Sequence, residues 1–250
     1  MRPDPYSWAP HPEALAALVL LAAAYAAAAT RFDTPRLRVA AFSGGIAMVA
    51  AALLTPLHAL SFHLLSMHLL QNVVLAEWAP ALLVLGISPA LASALGANRV
   101  MKLVTRPPVA LALWLLTYFT WHVPAIYDTA LRHPHSLLHA EHAAYLLAGC
   151  LLWWPVLHNA PHRLPAGARA AYLFAAFVLA SPLGLLLALL PDTVYDFYED
   201  GGLWGLSQLA DQQLAGVTMA GEQAIVFFAA FAWFFFRFLA DEERLDEDRG

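Results

Sequence analysis

Cysteine is nearly absent: Cys150 is the single one in 250 residues, which excludes an internal disulfide and any CxxC metal or redox motif. Soft-metal chemistry therefore has to lean on histidine and methionine. Charge is scarce as well, at 12% of residues, and the formal net charge of -5 arises largely from the acidic end DEERLDEDRG, so no basic footprint argues for nucleic acid. A long-period repeat, a Walker loop, GxSxG and HExxH are all missing. What is abundant is apolar length. Hydrophobic residues make up 61% of the chain, in runs that exceed the roughly 18 residues separating membrane spans from buried soluble helices. The expected class is an all-α integral membrane protein.

Seven transmembrane helices are expected, at about 13–30, 38–57, 60–86, 108–131, 136–157, 168–190 and 207–239. The domain plan is a proline-rich extracytoplasmic segment at 1–12, a seven-helix domain at 13–239 and an acidic cytoplasmic tail at 240–250, read as a disordered solvated end. The first apolar run reads as a retained span. The segment before it carries no net positive charge, Arg2 being offset by Asp4, and its other arginines follow it, the reverse of a cleaved signal. Short cytoplasmic loops collect Lys and Arg. With the N-terminus outside and the C-terminus in the cytoplasm, the inner side holds Arg31, Arg36, Arg38, Arg99, Lys102, Arg106, Arg163, Arg169, Arg237, Arg244 and Arg249, against Arg2 and Arg132 outside.

The stretch that organises the rest is His58 to Asn72, HALSFHLLSMHLLQN. On one continuous helix His68 shares a face with Ser61 and Asn72, with Gln71 beside it, while His63 points about 140° away. An ionisable group in lipid costs roughly 3 kcal/mol on insertion scales, so such a stripe faces the bundle. His68 falls about 9 to 12 Å below the outer end of its span at 1.5 Å per residue. His122, in TWHVPAIYD, lies at a similar depth just before Pro124, where a kink is expected. His135, His139 and His142 descend one face of span five. Asp211, Thr218 and Glu222 share a face of span seven, with Gln212, Met219 and Gln223 alongside. Neutral imidazoles from several helices, joined by a carboxylate or thioether, are what a copper or zinc site needs, and amides such as Asn72 or Gln212 can fix the ring tautomers. The competing reading is interhelical hydrogen bonding.

Other features read as architecture. His58, His63 and Met67 are expected to pack, His133 and His135 to be surface groups, and His158 and His162 to lie on the cytoplasmic side. Glu141 sits about 100° off the histidine face. Trp153-Trp154-Pro155 reads as an inner aromatic belt and helix end, Ser181-Pro182 as a kink, and Gly216 and Gly221 as points of close helix approach. The outer loop with Asp192, Asp196, Glu199 and Asp200 reads as a solvated acidic surface.

The ordered segments SMHLLQN, WHVPAIYDTAL, HAEH followed by WWP, and LSQLADQQLAGVTM resemble the CtaG family of cytochrome c oxidase assembly proteins, from about His58 to Met219. The resemblance implies a bacterial plasma-membrane factor, not an enzyme, needed to make active haem-copper oxidase by handling copper. Its matching positions are His68, His122, Glu141, His142, Asp211, Gln212, Gln213 and Met219, and Asn72 stands where related sequences often carry another histidine. The resulting expectation is an outer-leaflet cavity that binds copper and delivers it to a nascent oxidase subunit or another copper-handling assembly protein. His68, His122 and His142 would be ligands, with His139, Asp211 or Met219 completing or relaying the site. Asn72, Glu141, Gln212, Gln213 and Glu222 would support them. Zinc stays open beside copper. So do three other readings: a zinc-dependent hydrolase with Asp211 or Glu222 as general base, a b-type haem between His68 and His122, and a scaffold without a ligand.

Overall fold

Proline and small polar caps set where the helices begin. A proline in the first turn lacks only an N–H that has no helical partner anyway. The computed structural model, which describes residues 2–8, 11–199 and 202–247, has helices α1 (Pro12–Arg31), α2 (Arg36–Leu54), α3 (Pro56–Leu60), α4 (Leu65–Gly86), α5 (Pro89–Gly96), α6 (Arg99–Val104), α7 (Pro107–Trp121), α8 (Pro124–Arg132), α9 (His139–Leu157), α10 (Ala166–Leu189) and α11 (Gln208–Glu247). Asp200 of the acidic loop and Arg249 of the tail lie outside the described residues. All regular secondary structure among the described residues is helical. Thr55, Ser88 and Asn98 cap α3, α5 and α6 through their side-chain oxygens.

Five helices, α1, α2, α4, α10 and α11, are long and apolar enough to cross a membrane, and α7 with α8 makes a sixth span if counted together. That pair is bent by 73° at His122-Val123, as Pro124 leads one to expect. The nineteen residues of α9 fall short of the same apolarity because its first turn carries His139, Glu141 and His142. α4 is the central element. Of its apolar stretch 72% is buried, against 11% for α1.

Close backbone approaches at glycines hold the bundle together. Gly149 of α9 packs on a π-helical turn of α4 (Val74–Trp78), where an added Cβ would lie 2.1 Å from the Ala76 carbonyl oxygen, and the Trp153 indole donates to the Glu77 carbonyl at 2.9 Å. Gly216 of α11 meets the backbone of Ala188 and Gly184 on α10, whereas Gly221 faces open space; of the two expected contact glycines only the first makes one.

Several expectations are revised. Span three is not continuous: the chain turns at residues 61–64, so Ser61 does not share a helix with His68. Trp153 and Trp154 are buried, each donating to a carbonyl, rather than lying in an interfacial belt, because an indole N–H inside a protein needs a partner. The acidic residues Asp192, Asp196 and Glu199 of the outer-loop segment are exposed as expected, while its Tyr195 and Tyr198 are buried and Asp128 accepts from the backbone of Asp196 and Phe197. The acidic tail continues α11 as helix through Glu247 instead of fraying at 240.

Candidate metal centre

Each buried histidine is placed by a local feature of its helix. His68 lies one turn inside α4, His122 occupies the bend between α7 and α8, and His142 sits in the first turn of α9. All three are buried, with Glu141 among them at 0% exposure. Glu141, expected as a supporting residue off the histidine face, accepts from both His68 and Asn72. His68 Nε2 donates to its Oε1 at 3.3 Å and Asn72 Nδ2 to the same atom at 3.0 Å. Its side chain turns back along α9 toward α4, a displacement that helical angles at Cα do not report.

The hydrogen bonds dictate tautomers. His68 carries its proton on Nε2 toward Glu141, which leaves the Nδ1 lone pair free. His122 Nδ1 lies 2.7 Å from the Tyr118 carbonyl oxygen, an acceptor only, so the proton is on Nδ1 and Nε2 offers a lone pair; the Tyr145 hydroxyl lies 3.2 Å from the same Nδ1. His68 Nδ1, His122 Nε2, His142 Nε2 and Glu141 Oε2 are all buried without a hydrogen-bond partner among the described residues. Buried polar atoms are ordinarily satisfied, and unpaired atoms on three imidazoles and a carboxylate are of the donor types that suit a borderline metal ion. The set is loose. The His68 and His142 ring centroids are 6.5 Å apart, and the trio whose ligand atoms all lie within 4.8 Å of one another is elsewhere, at His11, Glu13 and His139.

That second trio forms a mouth at the end of the bundle where α1 and α9 begin. His11 precedes α1, Glu13 lies in the first turn of α1, and His139 opens α9. A cavity of about 490 Å³ beside it is lined by His11, His58, His135 and His139 among others. His58 joins mouth to interior, its ring 4.9 Å from that of His11 and 5.9 Å from that of His142. Gln71 donates to His58 Nδ1 at 3.0 Å and to the Ala52 carbonyl at 2.7 Å, and burial, reinforced by the His11, His68 and His139 imidazoles, pushes His58 down to about 3. It is a neutral imidazole at physiological pH.

The remaining expected site residues go elsewhere. Both carboxylate oxygens of Asp211 are used in capping α4: Oδ2 accepts from Leu65 N at 2.6 Å, and Oδ1 from Ser66 N at 3.2 Å and from the Ser66 hydroxyl. Gln212 ties down the loop before α11, accepting from Val194 N and donating to the Asp192 carbonyl. Gln213 is half-buried and Met219 is buried in the apolar core. Glu222 accepts from the Trp78 indole, beside Glu77, which accepts from Gln223; Glu77 is nine residues beyond His68 on α4, about 13 Å deeper. His158 and His162 bond the Val84 and Lys102 carbonyls, away from the cluster. The hydrolase reading thus loses Asp211 as a free base. For the haem reading, the Tyr127 ring lies beside both His68 and His122, with ring centroids at 4.9 and 6.3 Å.

His11, Glu13, His58, Gln71 and Glu77 were not among the expected site residues. HPE at the head of the first span, two ligand types at i and i+2, was the available signal for the mouth.

Comparison with known proteins gives a family and two relatives. The family model described as cytochrome c oxidase caa3 assembly factor matches residues 18–241. An uncharacterized protein of Mycobacterium bovis and one of Mycobacterium tuberculosis are each 28% identical over 178 residues, which is 60% of this chain and 26% of the relative. The chain thus spans about a quarter of the length of these curated relatives. No solved structure matches.

Proposed function

This chain belongs to the family of cytochrome c oxidase caa3 assembly factors, and from that membership we propose that it receives copper at the outer side of the bacterial plasma membrane and passes it to a nascent oxidase subunit or a copper-handling assembly partner. Copper is cargo here. The observation that carries the reading is the set of buried, unpartnered atoms His68 Nδ1, His122 Nε2, His142 Nε2 and Glu141 Oε2, with His68 Nε2, His122 Nδ1 and Glu141 Oε1 held by hydrogen bonds. Imidazole and carboxylate donors suit Cu(II), with zinc a chemical competitor. The loose spacing favours transient holding over a resident ion. Nothing in the reading requires a bond of a substrate to be broken.

The same proposal includes seven spans with the N-terminus outside. α9 is the seventh: it is long enough to cross, and its polar first turn is covered by α4 instead of lipid. The distribution of Lys and Arg sets the direction and puts the histidines in the outer half.

Metal analysis of the protein purified in mild detergent tests this, comparing wild type with His122→Ala. Bound copper in the wild type and its loss in the variant are expected, together with oxidase that lacks copper in cells where the variant still reaches the membrane. Normal oxidase copper with His122→Ala would overturn the reading, and zinc retained through chelation would revive a zinc-dependent hydrolase.

A further inference from the structure

The geometry points to a separate metal-loading site at the outer mouth: we propose that His11, Glu13 and His139 bind a divalent transition-metal ion, and that His58 and His142 lead from it to the buried imidazoles. The second half rests on the copper reading above; the first half does not.

Glu13 Oε1 lies 3.9 Å from His11 Nδ1 and 3.8 Å from His139 Nε2. These separations exceed a hydrogen bond, so the carboxylate stands between two imidazoles without bonding either, and no Lys or Arg pairs with it among the described residues. The His11 Nε2 atom is buried and has no hydrogen-bond partner. Ion–ligand bonds of about 2.0–2.2 Å bring ligand atoms to roughly 3.4 Å from one another, a closure of an ångström or so that side-chain rotation supplies. Two imidazoles and a carboxylate with no sulfur select a borderline divalent ion, Cu(II) or Zn(II), over Cu(I). Access is open: the Glu13 side chain is 51% exposed, with those of His11 and His139 at 25% and 31%.

Location gives the site a purpose. Two of the ligands ride on the start of α1, the helix least embedded in the bundle, and the third opens α9, so an ion bound here ties the head of α1 to the helix that carries His142. Inward, ring centroids step from His11 to His58 at 4.9 Å, to His142 at 5.9 Å and to His68 at 6.5 Å. Each step is short enough for an ion to exchange ligands after modest side-chain rotation.

The test is isothermal titration of the purified full chain with Zn(II), which avoids redox side reactions, repeated with Cu(II). Wild type, a mouth variant (His11→Ala with Glu13→Gln) and a buried variant (His68→Ala, His122→Ala and His142→Ala) are compared, each checked for wild-type helix content by circular dichroism. The expected result is one binding event fewer, or about 100-fold weaker outer binding, in the mouth variant, with that event kept in the buried variant. A mouth variant that binds with wild-type stoichiometry and affinity overturns the loading site. Should the buried variant lose nothing while the mouth variant loses an ion, the loading site stands and the buried copper site falls. No binding to wild type at millimolar metal overturns both. Glu13→Gln alone, which changes one charge on a half-exposed side chain, repeats the test if the double variant misfolds.

Discussion

Replacing Asp211 separates a cap from a ligand. In the folded chain one buried carboxylate receives the backbone N–H groups of Leu65 and Ser66 at 2.6 and 3.2 Å, and the Ser66 hydroxyl. Asp211→Ala leaves two buried N–H groups unpaired, at about 1–3 kcal/mol each; the hydroxyl can rotate to another acceptor and counts for little. Loss of a negative charge at the start of α4 adds up to about 1 kcal/mol through the helix dipole. The sum is on the order of 4 kcal/mol, and Asp211→Asn, which keeps one acceptor oxygen, should recover about half of it. Thermal unfolding of metal-free protein in mild detergent reads the effect, and metal content of the folded fraction reads any ligand role. A lowered Tm in the order wild type, Asn, Ala, with unchanged metal per folded molecule, is expected. Wild-type thermal stability in Asp211→Ala combined with lost copper would refute the cap assignment.

Acid should weaken the fold through His58. Its folded pKa, pushed down to about 3 by burial, lies below the ordinary value of 6.5, so the unfolded chain binds the proton first and stability falls as pH drops from about 6.5 toward 3. Between pH 7 and pH 5 the contribution lost is roughly 2 kcal/mol, and the difference in Tm between these two pH values should be smaller in His58→Gln than in wild type; an equal difference would count against the placement of His58. Gly149→Ala puts a Cβ 2.1 Å from a backbone carbonyl oxygen at the π-helical turn, and should cost more than about 3 kcal/mol or prevent folding. Gly221→Ala, with nothing within 4 Å of the added carbon, should leave stability unchanged or raise it by up to about 1 kcal/mol; detergent-extracted yield and Tm of the two variants check the contrast.

Most of the helix plan was legible because its causes are local. Apolar length predicts α1, α2, α10 and most of α11, Pro124 predicts the bend at His122, and polar residues inside apolar stretches mark His68, His122 and His142. The failures have a common cause in partners distant along the chain. The break before α4 is stabilised by Asp211, 146 residues on, and nothing near Ser61 records it. Asp211 looked like a ligand because a buried carboxylate demands compensation, and two amide N–H groups of another helix supply that compensation as well as a metal does. α9 is long enough to span, its polar first turn lowers its apolarity below that of the other long helices, and what covers that turn is α4.

Class, family and the buried imidazole and carboxylate residue types follow from the chain alone, since transfer free energy and motif order are properties of composition and spacing. Which lone pairs stay free is a different kind of fact. It depends on which hydrogen bonds the neighbouring helices make first: the Tyr118 carbonyl fixes the proton of His122 on Nδ1, Glu141 fixes that of His68 on Nε2, and α4 takes both oxygens of Asp211. The mouth is tertiary in the same sense, because His11 and Glu13 meet His139 only where the head of α1 lies against the start of α9. Composition supplies the donors, and packing decides which of them are already occupied.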